Sequence, residues 1–386
     1  MLKTPQIALV YDWVTTKHGG AEQVLLALHE AFPAAPLFTS VYDPKVADWA
    51  AVFKINTSFL QRFSWFRQHH RWLVPLLPIA FETLDLDAFD VVISITSAEA
   101  KGVLTKPNQL HISYMLTPTR YLYSHKLEYL GSVSRWFGFR RLVSWILEYL
   151  QWWDLVAATR PDHLIPISKR VAERVKHHYG RPVSPVIYPP YQPLQPNSKA
   201  ATEALSRFNL RQGEYCLVVS RLVSYKRIDL ALSACHELHK KLVIVGDGPQ
   251  RDELTQLATQ SASGEILFVG TQAESVVRSL MGGCSCLLMP GEEDFGITAL
   301  ETASTGRPVV LHSKSGVAEI LADGVAAVHI PEATKAAVVA ALQRLDTITW
   351  NRKKIERSVT EYTVTHFTAK ITQSCLKLWQ QFERKV

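Results

Sequence analysis

Two carboxylates, Glu293 and Glu301, stand eight positions apart in the run Glu293-Asp294-Phe295-Gly296-Ile297-Thr298-Ala299-Leu300-Glu301. The apolar stretch just before it, Cys286-Leu287-Leu288-Met289-Pro290, reads as a buried parallel strand, and Ile297 opens a helical pattern that ends near Gly306. Glu293 is therefore expected in the strand-to-helix loop and Glu301 one turn inside the helix. Gly296 removes a side chain where the helix's free N–H groups begin, and the N–H groups of Ile297 and Thr298 would favour an anion there. A loop acid, an open helix end and a helical acid suit a ligand with hydroxyls at both ends and phosphates between them, as in a nucleotide sugar.

Further motifs fall at the ends of other apolar runs. Ser220-Arg221-Leu222-Val223-Ser224-Tyr225-Lys226-Arg227 follows the strand pattern Tyr215–Ser220, so Arg221 and Lys226 can reach a cleft beyond it; ordinary surface charge is the plainer reading. Val245-Gly246-Asp247-Gly248-Pro249 lines a ligand through Gly248 or is a simple turn, and it is not a dinucleotide fingerprint. In His18-Gly19-Gly20-Ala21-Glu22, Gly19 and Gly20 precede the helical pattern Val24, Leu25, Leu28, Ala31, where bare backbone could approach a reacting centre or simply turn.

These motifs, with Ser168-Lys169, Tyr179-Gly180-Arg181 and Tyr188-Pro189-Pro190 in the same order, resemble those of the retaining glycosyltransferases of family 4, which have the GT-B fold. The resemblance covers nearly the whole length. It implies that Arg221 and Lys226 hold the diphosphate, that Glu293 binds sugar hydroxyls and that Glu301 binds the ribose. Phe295 would shape the loop, and Gly19, Gly20 and Arg120 would face the acceptor side. It implies retention of configuration with no cofactor and no metal, and Asp85-Leu86-Asp87 reads as a loop. One departure stands out: in Ser113-Tyr114-Met115-Leu116-Thr117-Pro118-Thr119-Arg120-Tyr121, Leu116 occupies the place where the family usually has a His beside the sugar. Either the donor is a 6-deoxy sugar, or the chain binds without efficient turnover. The likeness is to the mannosyltransferase branch, so GDP-mannose is the default donor and a lipid-linked saccharide of surface polysaccharide or lipopolysaccharide synthesis the expected acceptor. A sugar-nucleotide epimerase and a non-catalytic, membrane-associated sugar-nucleotide-binding protein are the alternatives.

Short β-branched runs alternating with helical patterns are expected to position these residues. The first half predicts strands at Ile7–Tyr11, Leu37–Val41, Val91–Thr96, His111–Leu116, Leu164–Ile167 and Val186–Tyr188. The second half predicts them at Tyr215–Ser220, Leu242–Gly246, Ile266–Gly270, Cys286–Pro290, Pro308–His312 and Ala327–Ile330. The expected fold class is α/β: two Rossmann-like, doubly wound parallel-sheet domains with an interdomain cleft. The expected division is 1–195 for the acceptor domain and 196–366 for the nucleotide-sugar domain, after a linker stiffened by Pro189, Pro190, Pro193 and Pro196. By the resemblance, the final helix (367–386) returns to the first domain.

At 386 residues, with 47% hydrophobic and 20% charged residues, the chain suits two globular domains. Residues 1–195 carry 20 Lys and Arg against 15 Asp and Glu, and the remainder 22 against 20, so positive charge gathers in the first half. That balance suits an anionic membrane surface or nucleic acid, with a merely soluble surface as the plainer reading, and no nucleic-acid module is recognisable. Five cysteines without metal-type spacing predict reduced structural thiols. The opening Met1-Leu2-Lys3-Thr4-Pro5 carries no secretory pattern, and no window reaches the length of a membrane span. A cytoplasmic, peripheral protein at the inner face of the cell membrane is expected. Two aromatic-basic stretches would meet the bilayer: one with Phe63, Trp65, Phe66, Arg67, Arg71 and Trp72, the other with Trp136, Phe137, Arg140, Arg141, Trp145, Trp152 and Trp153. Burial of these helices against the sheet is the alternative.

Overall fold

The computed structural model describes residues 4–17, 19–63, 74–123, 137–193, 203, 205–259 and 265–384. The chain divides into two units, Met1–Pro189 with Thr365–Val386, and Pro190–Val364. The division thus comes at the Pro189–Pro190 pair, ahead of the expected 195/196, where two consecutive rings already deny the chain backbone donors.

Unit 1 is built on strands β1 (Ile7–Tyr11), β2 (Leu37–Thr39), β3 (Ile55–Thr57), β4 (Val91–Thr96), β5 (Leu110–Met115) and β6 (His163–Pro166). All pairs are parallel, in the order β3-β2-β1-β4-β5-β6. Every residue of β4 and β5 is buried, as expected for a sheet covered on both faces. Its helices are α1 (Gly20–Ala31), α2 (Leu77–Glu82), α3 (Phe137–Ala157) and α4 (Lys169–Tyr179).

Unit 2 repeats the plan with β7 (Tyr215–Val219), β8 (Lys241–Val245), β9 (Ile266–Gly270), β10 (Cys286–Met289), β11 (Val309–His312) and β12 (Ala327–Ile330). The order is β12-β11-β10-β7-β8-β9, again all parallel. Helices α5 (Ile228–Glu237), α6 (Arg251–Thr259), α7 (Glu274–Gly283), α8 (Ile297–Ala303), α9 (Lys335–Thr347) and α10 (Arg352–Arg357) cover it. Its core joins Ala231, Leu232 and Cys235 of α5 and Val338 and Leu342 of α9 to Leu242, Ile244 and Leu288 of the sheet. The last helix, α11 (Val364–Glu383), buries Phe367, Ile371, Cys375 and Trp379 at four-residue spacing, and Phe367 meets Tyr114 of β5 edge-on at 5.8 Å.

One expected strand is replaced. Val186–Tyr188 is not a strand, and the sixth strand of the first sheet is Ile55–Thr57. The 184–187 segment runs beside β6 through two bonds, Ser184 N to Leu164 O (2.7 Å) and Ile187 N to Pro166 O (3.2 Å). Pro185 and Pro189 on one side and Pro166 on the other lack the donors a ladder needs. Each sheet therefore has one place where successive strands leave in opposite directions: between β1 and β4, and between β7 and β10. Ligands of open parallel sheets bind beyond strand carboxyl ends at such points.

Candidate functional site

At the switch point of unit 2, the loop after β7 meets the loop after β10. Residues Ser224–Lys226 make a 3-10 turn, and Lys226 Nζ donates to Glu293 Oε1. Both side chains are partly covered, at 21% and 12% exposure, so solvent screens the pair only weakly. Glu293 is fixed from behind by the loop after β11: its N–H donates to Ser315 Oγ (3.1 Å), and its carbonyl accepts from Gly316 N (3.1 Å). Val317 N donates to Phe295 O (3.0 Å), and Phe295 is buried beneath the loop.

The neighbouring cations differ. Arg227 is committed to Asp229 through two bonds of 3.1 and 2.9 Å, which raise its pKa further. Arg221 is exposed, and its side chain makes no hydrogen bond or ion pair among the described residues. The structure thus brings Lys226 to Glu293 and leaves Arg221 on the same loop, touching neither.

Glycines set how closely these loops pass. A Cβ on Gly291 would lie 2.2 Å from Tyr225 O, one on Gly248 2.4 Å from Leu222 O, and one on Gly246 1.9 Å from Ser220 O. Backbone therefore packs on backbone across three loops, and Leu222 N to Asp247 O (3.0 Å) and Gln250 N to Leu222 O (3.1 Å) complete the contact. The 246–250 turn is thereby a buttress for the Arg221 loop. Gly248 N is occupied by Asp247 Oδ1 at 2.8 Å.

Gly296, at φ 107°, lies before α8, and a Cβ there would meet Met289 Cε at 2.7 Å. The seven-residue helix begins with Ile297 and Thr298, whose N–H groups have no acceptor among the described residues, while Ala299 N returns to Gly296 O at 3.0 Å. Thr298 Oγ1 points to Met289 Sδ at 3.7 Å, and Glu301 is half-buried in the second turn.

The switch point of unit 1 is built differently. Asp12, just past β1, accepts from Ser97 N (2.7 Å), Ala100 N (2.8 Å), Thr96 Oγ1 (3.1 Å) and Ser97 Oγ (3.2 Å). Glu99 is buried; its Oε1 accepts from Tyr121, and its Oε2 has no partner. Burial first, then the charge of Asp12, pushes the Glu99 carboxyl up to about 8. Lys101, 1% exposed, donates to Asp154 at 2.5 Å, and Asp154 also accepts from Thr119 (2.7 Å), Tyr123 (3.0 Å) and Tyr179 (2.8 Å). That node ties the 117–123 segment, which carries Arg120, to α3 and α4.

Leu116, at the end of β5, is 9% exposed and its N–H bonds Thr96 O at 2.9 Å. Gly19 caps α1 in an extended conformation, and a Cβ there would come within 2.9 Å of Glu22 Oε2. Gly20 is the first helical residue. The buried Glu22 is held through Oε1 by Thr16 Oγ1 (2.7 Å) and Tyr11 Oη (3.2 Å). His18 lies outside the described residues.

Sequence reasoning missed Gly291, Ser315, Glu99 and the Lys101–Asp154 pair. The Pro290-Gly291 step at a strand end was the only signal among them. Asp85–Asp87 lies in a loop, where Lys106 pairs with Asp87 at 2.7 Å. Of the aromatic-basic stretches, residues 64–73 and Trp136 lie outside the described residues, as do the side chains of Phe137 and Arg140. Trp145 and Trp152 are exposed. Trp153 is a correction: it is buried, donates to Glu82 at 2.8 Å and stacks under Arg160, because it lies one residue, about 100°, round the helix from Trp152.

Residues 213–347 match the family model of glycosyl transferases group 1. Alpha-D-kanosaminyltransferase of Streptomyces kanamyceticus is 23% identical over 207 residues, covering 50% of this chain and 54% of that protein. A GDP-mannose-dependent alpha-(1-6)-phosphatidylinositol dimannoside mannosyltransferase of Mycobacterium tuberculosis is 32% identical over 117 residues, covering 29% and 30%. The chain thus spans about half or less of the length of these curated relatives. Among solved structures, Anabaena Alr3699/HepE in complex with UDP and glucose superposes with a TM-score of 0.73 at 15% identity, covering 96% of this chain and 99% of that one. The match to glycosyl transferases group 1 thus lies in residues 213–347, within unit 2, and the two six-stranded Rossmann-like units have the GT-B fold.

Proposed function

We propose that the chain is a retaining, metal-independent glycosyltransferase that moves a hexose from a nucleotide diphosphate sugar to a hydroxyl of a lipid-linked saccharide. The setting would be surface polysaccharide or lipopolysaccharide assembly at the inner face of the cell membrane. The observation that carries it is the Lys226–Glu293 pair at the β7/β10 switch point, with Arg221 exposed on the same loop.

Breaking the bond from the anomeric carbon to phosphate builds negative charge on the diphosphate and positive charge on the ring. Lys226 can turn from Glu293 to the leaving phosphate, joined there by Arg221, while the released Glu293 carboxylate orients sugar hydroxyls and faces the developing positive charge. Each well-placed cation is worth about 10²-fold to 10³-fold in rate. Glu301 would take the ribose hydroxyls. GDP-mannose remains the default donor, supported by the mannosyltransferase relative. The UDP and glucose bound by Anabaena Alr3699/HepE make UDP-glucose the second donor to test. Among the described residues no helix is long and apolar enough to cross a membrane, which is compatible with peripheral attachment.

Thermal-shift screening against GDP, UDP and dTDP identifies the nucleotide. Transfer from GDP-mannose, UDP-glucose and 6-deoxy donors is then followed in wild type and Lys226→Ala, with and without EDTA. Stabilisation by one nucleotide, EDTA-resistant transfer with the donor's anomeric configuration kept, and its loss in Lys226→Ala is the expected result. Epimerised donor in the absence of acceptor, or no stabilisation by any of the three nucleotides, refutes the proposal.

A further inference from the structure

Helix α3 is 21 residues long, enough to cross a bilayer, yet it carries Arg140, Arg141, Glu148 and Asp154 and does not qualify as a span. Its inner face is spent on unit 1: Leu147 and Leu150 pack with Leu122, and Trp153 and Asp154 are buried. A second apolar row remains uncovered. Leu142, Trp145, Tyr149, Trp152 and Val156 recur at three- and four-residue spacing and fall within about 80° of arc. Trp145 and Trp152 are 68% and 63% exposed. Arg141, Ser144, Glu148 and Gln151 border this row on its other side, so α3 has a buried face, an exposed aromatic edge and a polar face.

Helix α4 supplies the second observation. It carries Lys169, Arg170, Arg174 and Lys176 against the single acid Glu173, followed by His177 and His178. Its last turn sits against the node that α3 anchors: Tyr179 donates to Asp154, and His178 stacks on Tyr123 with centroids 4.3 Å apart. Lys176 stands three residues before Tyr179, on the helix that this contact ties to α3. Aromatic side chains with a polar tip, beside a basic helix, match a headgroup boundary that is apolar below and anionic above. A second copy laid on the same row would bring two basic helices together, at a Coulombic cost that an anionic surface turns into a gain.

We infer that the Trp145–Trp152 edge of α3 and the basic face of α4 form the surface by which unit 1 docks on an anionic phospholipid bilayer. This deepens the reading of the acceptor as lipid-linked and rests on it. The edge inserts to headgroup depth, α4 supplies the attraction, and the bilayer brings a lipid-carried acceptor to the unit already expected to receive it.

The test is flotation of the full chain with phosphatidylcholine vesicles, alone or containing phosphatidylglycerol. Donor-nucleotide thermal shift and glycosyl transfer to a water-soluble acceptor are measured on the same samples. Wild type is expected to float with the anionic vesicles and to lose binding as salt is raised. Lys176→Ala should weaken the partition about fivefold, and Trp145→Ser with Trp152→Ser about tenfold or more. The nucleotide shift should stay unchanged, which shows that both variants are folded. Wild type failing to float, tryptophan variants floating as well as wild type, or a tryptophan-dependent dimer in place of flotation each overturn the inference. Absence of transfer to every acceptor with vesicle binding intact defeats the transferase reading instead.

Discussion

Replacing Gly291 by alanine tests whether the two loops of unit 2 work as one device. The added methyl would lie 2.2 Å from the Tyr225 carbonyl oxygen and 2.8 Å from the Cα and carbonyl carbon of Lys226. These are backbone atoms, so no side-chain rotation relieves the clash. Ordinary contact begins near 3.4 Å, and one loop must therefore retreat by about 1 Å. Glu293 lies two residues after Gly291 and is pinned to Ser315 and Gly316, so the strain passes to the Lys226–Glu293 contact. A shift of that size costs about 10²-fold in turnover when the displaced groups position the reacting centre. Overpacking should also lower stability by about 1–3 kcal/mol, or a few degrees to about 10 °C in melting temperature. The assay is kcat and donor KM in the transfer reaction beside thermal unfolding. Gly282→Ala is the control, since its methyl meets nothing closer than 4.0 Å and alanine favours its helix. Unchanged kcat with unchanged melting temperature in Gly291→Ala would mean that the loops are not held in register by this contact.

Lys226→Met and Glu293→Gln should each lower kcat by about 10²-fold to 10³-fold, and the double variant little further, because the two groups act as a unit; rapid-quench kinetics would show it. Asp154→Asn should cost about 3–5 kcal/mol in urea denaturation, since it leaves the buried Lys101 ammonium without its counter-charge. The sign for Glu99 runs opposite to a paired carboxylate. Its folded pKa of about 8 lies above the ordinary 4.5, so the folded state binds the extra proton between those values. Stability contributed there is present below 4.5 and falls as pH rises towards 8. Glu99→Gln should flatten that slope in unfolding experiments across the window, and an unaltered slope would place the proton elsewhere.

What the sequence made readable follows from where the information lies. Cys286–Met289 is a continuous apolar run because its strand is covered on both faces, so both the strand and the loop after it could be placed. Ile55–Thr57 is a three-residue edge strand containing Asn56, too short and too polar to show a pattern. Val186–Tyr188 has strand-like composition, but prolines on both partners prevent the ladder. Lys226 and Glu293 were legible as loop charges following strands, although their mutual contact is a tertiary fact. The Lys101–Asp154 pair was not legible, because the cost of burying an ammonium is offset by three elements that only the fold brings together. Gly291 differs from any turn glycine only through the carbonyl of Tyr225 against it. Trp152 and Trp153 look equivalent until the helix rotates one outwards and the other towards Glu82.

The two switch points share a topology and treat charge in opposite ways, and this bears on which unit holds the charged ligand. In unit 1, Asp12 accepts four hydrogen bonds, Glu99 is held neutral by burial, and Lys101 is bonded to Ala98, Thr119 and Asp154. Releasing Asp12 or Lys101 leaves an unpaired buried charge, and Glu99 carries none to offer, so these groups fix backbone and cannot answer a change in ligand charge. In unit 2, Lys226 has one carboxylate partner in a partly open position, and Arg221 is exposed. Under the proposed function, a diphosphate arriving there would replace Glu293 as the partner of Lys226 and free that carboxylate for sugar hydroxyls, with little desolvation left to overcome. The energetics therefore favour unit 2 for the phosphate-bearing donor and leave unit 1, with its rigid neutralised loops, suited to a ligand recognised by its hydroxyls.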